Sequence, residues 1–221
     1  MPSFRALATV ASNLLGELVA PSRCAGCDER VGPSALFCSG CAPSVERCEQ
    51  TAIPERRSGA WLASFEYGGA VSAAVVRLKY GGRPDLGPRL GRSMLRAAEP
   101  FSGAIDLVIP VPLHPRRLAE RGYNQAALLA APIARTLETT FAPRALERSR
   151  DTPRQALLDR GERLENVAGA FSVRASAPVR GARVLLIDDV RTTGATIAEC
   201  AHALASSGAA SVVALVLARR A

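Results

Sequence analysis

The chain has 221 residues, of which 48% are hydrophobic and 22% charged, enough for one α/β domain with a small appendage and a sizeable core; a disordered or fibrous protein is excluded. No apolar run approaches the ~20 residues that span a bilayer. The formal net charge of +8 favours polyanionic partners, but the basic residues are scattered arginines with Lys79 the single lysine, so charge alone does not specify nucleic acid.

Residues 1–21 read as a short amphipathic helix, with Phe4, Leu7, Val10, Leu14 and Leu18 near helical spacing. Thr9, Ser12, Asn13, Gly16 and Glu17 interrupt it, whereas a secretory signal needs an unbroken apolar centre of about 7–15 residues. The expected location is the cytoplasm, where thiols are reduced and either bind metals or stay buried. Next come two Cys-x-x-Cys knuckles, Cys24-Ala-Gly-Cys27 and, after ten intervening residues, Cys38-Ser-Gly-Cys41. Each knuckle can aim two thiolates at one ion, so Cys24, Cys27, Cys38 and Cys41 supply the ligands of a tetrahedral structural zinc. A region with so little core would draw much of its folding energy from that ion. The competing reading, a pair of disulfides, does not suit a reducing compartment. Cys48 lacks a partner at knuckle spacing, and Cys200 reads as a small buried hydrophobe. Arg30 is the one basic group between Asp28 and Phe37, which argues against nucleic-acid contact by the ribbon.

The polar stretch 49–59, with Pro54, Arg56 and Arg57, reads as a linker. It divides the chain into 1–57 and 58–221. Beyond it the pattern predicts a strand at 61–67, helices at 70–80 and 86–98, and a buried strand at 105–111. A helix at 124–137 contains Pro132, a potential kink. A strand at 183–187, a helix at 196–207 closed by Gly208, and a strand at 212–217 complete the chain. Apolar strands alternating with helices predict an α/β fold with a parallel sheet covered on both faces.

The strand at 183–187 runs into Asp188-Asp189, Val190-Arg191 and Thr192-Thr193-Gly194-Ala195-Thr196, after which the helix begins. Its carboxyl end is where ligands bind in α/β folds. The small-residue turn presents backbone amides and threonine hydroxyls at a helix N-terminus, which suits a phosphate. The two acids before it suit sugar hydroxyls and a nearby magnesium ion. Acids first and phosphate donors second read as a ribose 5-phosphate cradle. Neither a Walker loop nor a Gly-x-Gly-x-x-Gly fingerprint is present.

Residues 184–196 resemble the signature of type I phosphoribosyltransferases. Three further features resemble the ComF branch: Leu78-Lys79-Tyr80; Pro110-Val111-Pro112-Leu113-His114 through Arg121-Gly122-Tyr123-Asn124-Gln125; and Arg148, Arg150, Thr152, Gln155, Leu158, Arg163 and Asn166 followed by Gly169-Ala170-Phe171. With the cysteine knuckles they cover almost the whole chain in the family's order. The resemblance implies a type I phosphoribosyltransferase-like domain behind a zinc ribbon, and phosphoribosyl pyrophosphate with magnesium as ligand. It places Asp188 and Asp189 on the ribose hydroxyls, Arg191, Thr192, Thr193, Gly194, Ala195 and Thr196 around the 5-phosphate, and the turn 110–115 at the pyrophosphate. Ala195 stands where the superfamily often has a second glycine. Family members are associated with natural competence and uptake of transforming DNA.

Lys79, His114, Arg116, Arg117 and Arg121 are candidates for the pyrophosphate side. For Arg116, Arg117 and Arg121, a solvated helix face is the alternative. Arg150, Arg154, Gln155, Arg163 and Asn166 either face an anion or belong to a surface excursion. Two functions stay open: a phosphoribosyltransferase, or a non-catalytic module that senses the sugar diphosphate or contacts single-stranded DNA or competence proteins. No acceptor-base pocket is recognisable, and the oligomeric state is open.

Overall fold

In a computed structural model the described residues are 22–49, 60–150 and 169–220. The amphipathic segment 1–21, nearly all of the 49–59 linker, and Arg154, Gln155, Arg163 and Asn166 lie outside them.

The predicted parallel sheet is present, in strand order β1-β7-β6-β2-β3. Its strands are β1 (Ala60–Glu66), β2 (Leu107–Pro110), β3 (Thr140–Phe141), β6 (Arg183–Arg191) and β7 (Ser211–Arg219). In β6 and β7 the runs 184–187 and 212–218 are wholly buried, the pattern of strands with helices on both faces. On one face lie α1 (Gly69–Tyr80), α2 (Leu86–Ser93), α3 (Leu95–Ala98) and α5 (Gln125–Thr136). On the other, α6 (Ala195–Ser206) packs Ile197, Cys200, Ala201 and Leu204 onto Val184, Leu186 and Val212. The first strand of this sheet, β1, pairs with its last, β7, from Ala60–Val213 to Glu66–Arg219.

Several elements depart from expectation. The helix expected at 86–98 is two, separated at the buried Met94. Gly87 and Gly91 let α2 cross close to α5, where a Cβ would run into Leu128 and the Leu129 carbonyl. The same glycines weaken the helix, which gives way one turn later. Strand β6 runs four residues past its expected end and takes in both aspartates, with Asp188 opposite Val216 and Arg191 opposite Arg219. Three features were not anticipated from the sequence: the edge strand β3, the short helix α4 (Pro115–Arg121), and an antiparallel pair, β4 (Leu146–Arg148) with β5 (Phe171–Val173).

The four-cysteine module is seated on α1 and on the outer edge of β1. Ala25 enters the core shared with Val71 and Ala74. Asp28 pairs with Arg77 of α1 at 2.9 Å and also with Arg83, and Ser44 Oγ accepts the Ala70 amide at 3.0 Å. Arg47 bridges Phe65 in antiparallel fashion, and the Cys48 amide donates to the Ser64 carbonyl at 3.2 Å. The sheet edge is thereby covered, as exposed edges usually are.

Candidate functional site

At the carboxyl end of β6, Asp188 and Asp189 are 8% and 3% exposed. The Asp189 amide donates to Asp188 Oδ1 at 2.8 Å, and Lys79 Nζ, from the end of α1, lies 2.8 Å from Asp189 Oδ1. Asp189 Oδ2 is buried and has no hydrogen-bond partner among the described residues, a costly state for a carboxylate oxygen. Arg148, from β4, is 7% exposed and close enough to Asp188 to act on its charge. Burial, then the neighbouring Asp189, push the Asp188 carboxyl up to about 7 against the opposing pull of Lys79 and Arg148. Burial disfavours the Lys79 ammonium, but Asp189 outweighs it and holds its proton more firmly than usual.

Beyond the acids, the chain turns through Thr192 and Thr193 to Gly194, at φ 83°, which starts α6 without a side-chain cap. The first helical turn leaves backbone amides without intrahelical partners, of which that of Ala195 donates to Thr193 Oγ1 at 3.4 Å. Arg191 has a second job beside the loop. Its guanidinium carbon lies 3.8 Å from the centre of the Trp61 ring, and a Cβ on Gly194 would sit 3.0 Å from its Nε. Arg191 is thus packed between Gly194 and Trp61 and braces the turn.

A cleft of about 1260 Å³ opens here. Of the residues singled out from the sequence, Lys79, Arg117, Arg148, Asp188, Asp189, Arg191, Thr192, Thr193 and Thr196 line it, as do Val111, Pro112 and Leu113 of the turn 110–115. An adjoining chamber of about 360 Å³ shares Lys79, Tyr80 and Arg117 with the cleft and adds Glu120 and Arg121. Gly194 and Ala195 form the turn itself. His114 and Arg116 are not among the described lining residues: His114 Nδ1 accepts the Arg116 amide and caps α4, while Arg116 Nε contacts Glu120 at 3.1 Å. Asn124 caps α5 by accepting the Ala126 amide. Sequence reasoning missed Trp61, Glu66, Tyr67, Arg219 and Arg220 as lining residues, and Arg148 as a buried one. Arg219-Arg220 carried a usable signal, since they follow the last apolar strand and so share the sheet edge with the acids.

The sulfurs of Cys24, Cys27, Cys38 and Cys41 lie within 4.8 Å of one another, and those of Cys27 and Cys38 are 3.6 Å apart. Zinc–sulfur bonds of about 2.3 Å in a tetrahedron set sulfurs about 3.8 Å apart, so the donor set fits zinc. Burial opposes ionisation of Cys24, but backbone amides in its own knuckle and at Cys38 bring the thiol down to about 6. Hydrogen bonding with Cys27, then burial, push Cys41 up to about 12, as expected of crowded thiols sharing one negative charge. Cys48 stands apart, 3.4 Å from Glu66 Oε1, and Cys200 is fully buried.

This geometry has sequence relatives. The phosphoribosyl transferase domain family matches residues 124–221, from α5 through the acid pair to β7. The DNA utilization protein YhgH of Escherichia coli (strain K12) is 32% identical over 201 residues, 86% of each chain. The chain belongs to the ComF family. Competence protein F of Haemophilus influenzae is a further ComF relative, 29% identical over 208 residues, covering 89% of this chain and 90% of that one. The adenine phosphoribosyltransferase of Frankia casuarinae is 41% identical over 91 residues, 41% of this ComF chain and 46% of its own. No described helix is long and apolar enough to cross a membrane.

Proposed function

We propose that the cleft binds phosphoribosyl pyrophosphate, that the chain is a phosphoribosyltransferase, and that it serves DNA utilization or uptake. One observation carries the reading. The buried Asp189, with an acceptor oxygen lacking any described partner, lies just ahead of a glycine turn and a helix start inside the large cleft. Asp188 and Asp189 accept from the ribose hydroxyls. Thr192, Thr193 and Thr196, with the amides at Gly194 and Ala195, hold the 5-phosphate, and Arg191 braces them. Lys79, Arg117 and Arg121 face the pyrophosphate. His114 and Arg116 act indirectly, by fixing α4. Transfer at the anomeric carbon needs no strong protein nucleophile; orientation and stabilisation of the departing pyrophosphate suffice.

Magnesium enters on the diphosphate, whose charge it neutralises. Among the described residues only the cysteine cluster gathers three or more metal-binding side chains, and Asp189 already holds an ammonium. The four cysteines hold zinc, which supplies structure. We place the module boundary near residue 57, on the change in composition, and the protein in the cytoplasm.

Titration calorimetry with phosphoribosyl pyrophosphate and magnesium tests this reading, beside an Asp188→Asn/Asp189→Asn double variant. Binding that the variant loses supports it; no binding at millimolar ligand sinks it. A second reading, a sensing or DNA- and protein-binding module without turnover, is favoured by relatives named for DNA utilization and competence rather than for a transfer reaction. Release of pyrophosphate in the presence of candidate acceptors separates the two.

A further inference from the structure

We infer that Lys79 is an exchangeable cation that selects the diphosphorylated sugar over plain ribose 5-phosphate, by leaving Asp189 only when a diphosphate is there to receive it. This rests on the proposed ligand and deepens it.

Lys79 stands at a junction. It lines both the main cleft and the smaller chamber, and its ammonium, 21% exposed, lies 2.8 Å from Asp189 Oδ1. A vicinal diol donates to both oxygens of a carboxylate, and here one of the two carries the ammonium while the other has no described partner. The free protein has thus placed its own positive charge where a sugar's hydroxyls must go. For the diol to engage Asp189 fully, the ammonium has to withdraw.

The direction of withdrawal is set by its surroundings. The chamber beside it holds Arg117, Arg121 and one acid, Glu120, whose carboxylate is paired with Arg116 at 3.1 Å. With no diphosphate present, the two arginines repel the ammonium, and the Asp189 ion pair keeps it. A diphosphate in the chamber reverses the balance and gives the ammonium a new partner. Ribose 5-phosphate brings the diol without that partner, so it must break a buried ion pair without replacing it, which is costly. Backbone motion is not required. The Leu78 carbonyl accepts the Tyr123 hydroxyl at 2.6 Å and Leu78 is fully buried, so the end of α1 is pinned and only the four-carbon stem swings. A compact ammonium on a flexible stem suits this exchange better than a planar guanidinium fork, and this is the one lysine of the chain.

The test compares dissociation constants for phosphoribosyl pyrophosphate and for ribose 5-phosphate, in the zinc-loaded full chain and in Lys79→Met. The expected result is that the variant binds the diphosphate more weakly and ribose 5-phosphate no more weakly, so that the preference narrows by about tenfold or more. A lysine that merely props Asp189 would weaken both ligands in parallel; that result, or an unchanged preference, overturns the inference and leaves the proposed ligand standing. Failure of the wild-type chain to bind the diphosphate removes the ligand reading and the inference together. A second measurement needs no variant. Isotope-labelled lysine gives a single side-chain resonance, from Lys79. It should shift on saturation with phosphoribosyl pyrophosphate, and an unmoved resonance overturns the exchange.

Discussion

The cysteine centre and the cleft are ordered by different means. Cys24, Cys27, Cys38 and Cys41 come from one short span and converge through two tight knuckles. The cleft instead draws Lys79 from α1, Arg117 from α4, Arg148 from β4, the two aspartates from β6 and Arg219 from β7. Short-range spacing suffices for the first. Only the finished order of the sheet assembles the second. Damage should therefore stay local in one case and be felt as lost affinity in the other, unless α1, which touches both, transmits it.

The largest effect is expected from the centre itself. Cys24 is fully buried and receives the Cys38 amide. Cys24→Ser should abolish stoichiometric zinc and lower the melting temperature by about 10 °C or more, read by metal analysis and scanning calorimetry. If the regions are independent, the surviving folded protein keeps most of its ligand affinity; an affinity loss as large as that of a cleft variant would break the comparison. Next is Asp189→Asn, which replaces an acceptor oxygen by a donor. Affinity for phosphoribosyl pyrophosphate should fall about a hundredfold with zinc content unchanged, as calorimetry and metal analysis would report.

A smaller effect should follow from Trp61→Ala. Without the indole, Arg191 loses its platform and the turn at Gly194 loosens, so affinity should drop about tenfold while zinc is again retained. An unchanged affinity would show that the turn holds itself. The last prediction concerns pH. Asp188 has a folded value near 7, above its ordinary 3.8, so the folded state holds that proton more tightly. Its contribution to stability is full below about 4 and is lost as the pH rises through about 7. Denaturant titrations across this window should show that decline in the wild type and a flatter profile in Asp188→Asn. Equal slopes would mean that Lys79 and Arg148 already balance the charge.

The contrast between the regions also explains what could be read in advance. The knuckles and the run from β6 into α6 are contiguous, and their residue types announce a thiolate cluster and a strand, glycine turn and helix start of the kind that suits a phosphate. Strands 183–187 and 212–217 were visible as apolar runs, although β6 extends through the acids because pairing with β7 continues to Arg191–Arg219. What escaped depends on contacts distant in sequence. Nothing local to Trp61 shows that it will sit under Arg191, and nothing in the 148–166 stretch shows that Arg148 will be buried beside Asp188. The role of Lys79 was half legible: its rarity marked it, but its ion pair with Asp189 follows only once α1 is laid against the sheet. His114 and Arg116 were grouped from the sequence with the candidates for the pyrophosphate side; in the fold His114 caps α4 by accepting the Arg116 amide, and the Arg116 side chain pairs with Glu120 one turn on.

The pairing of β1 with β7 has a consequence for biosynthesis. Strand β1 is made some 150 residues before its partner in the sheet, β7. The nascent chain must carry the inner edge of β1 unpaired until that stretch has been made. The cysteine module, made before β1, covers its outer edge through Arg47 and Cys48. It can therefore guard that strand against premature association while the chain is still being translated. Deleting residues 211–219 would cost the sheet the strand that joins β1 to β6, and with it the Arg219 side of the cleft.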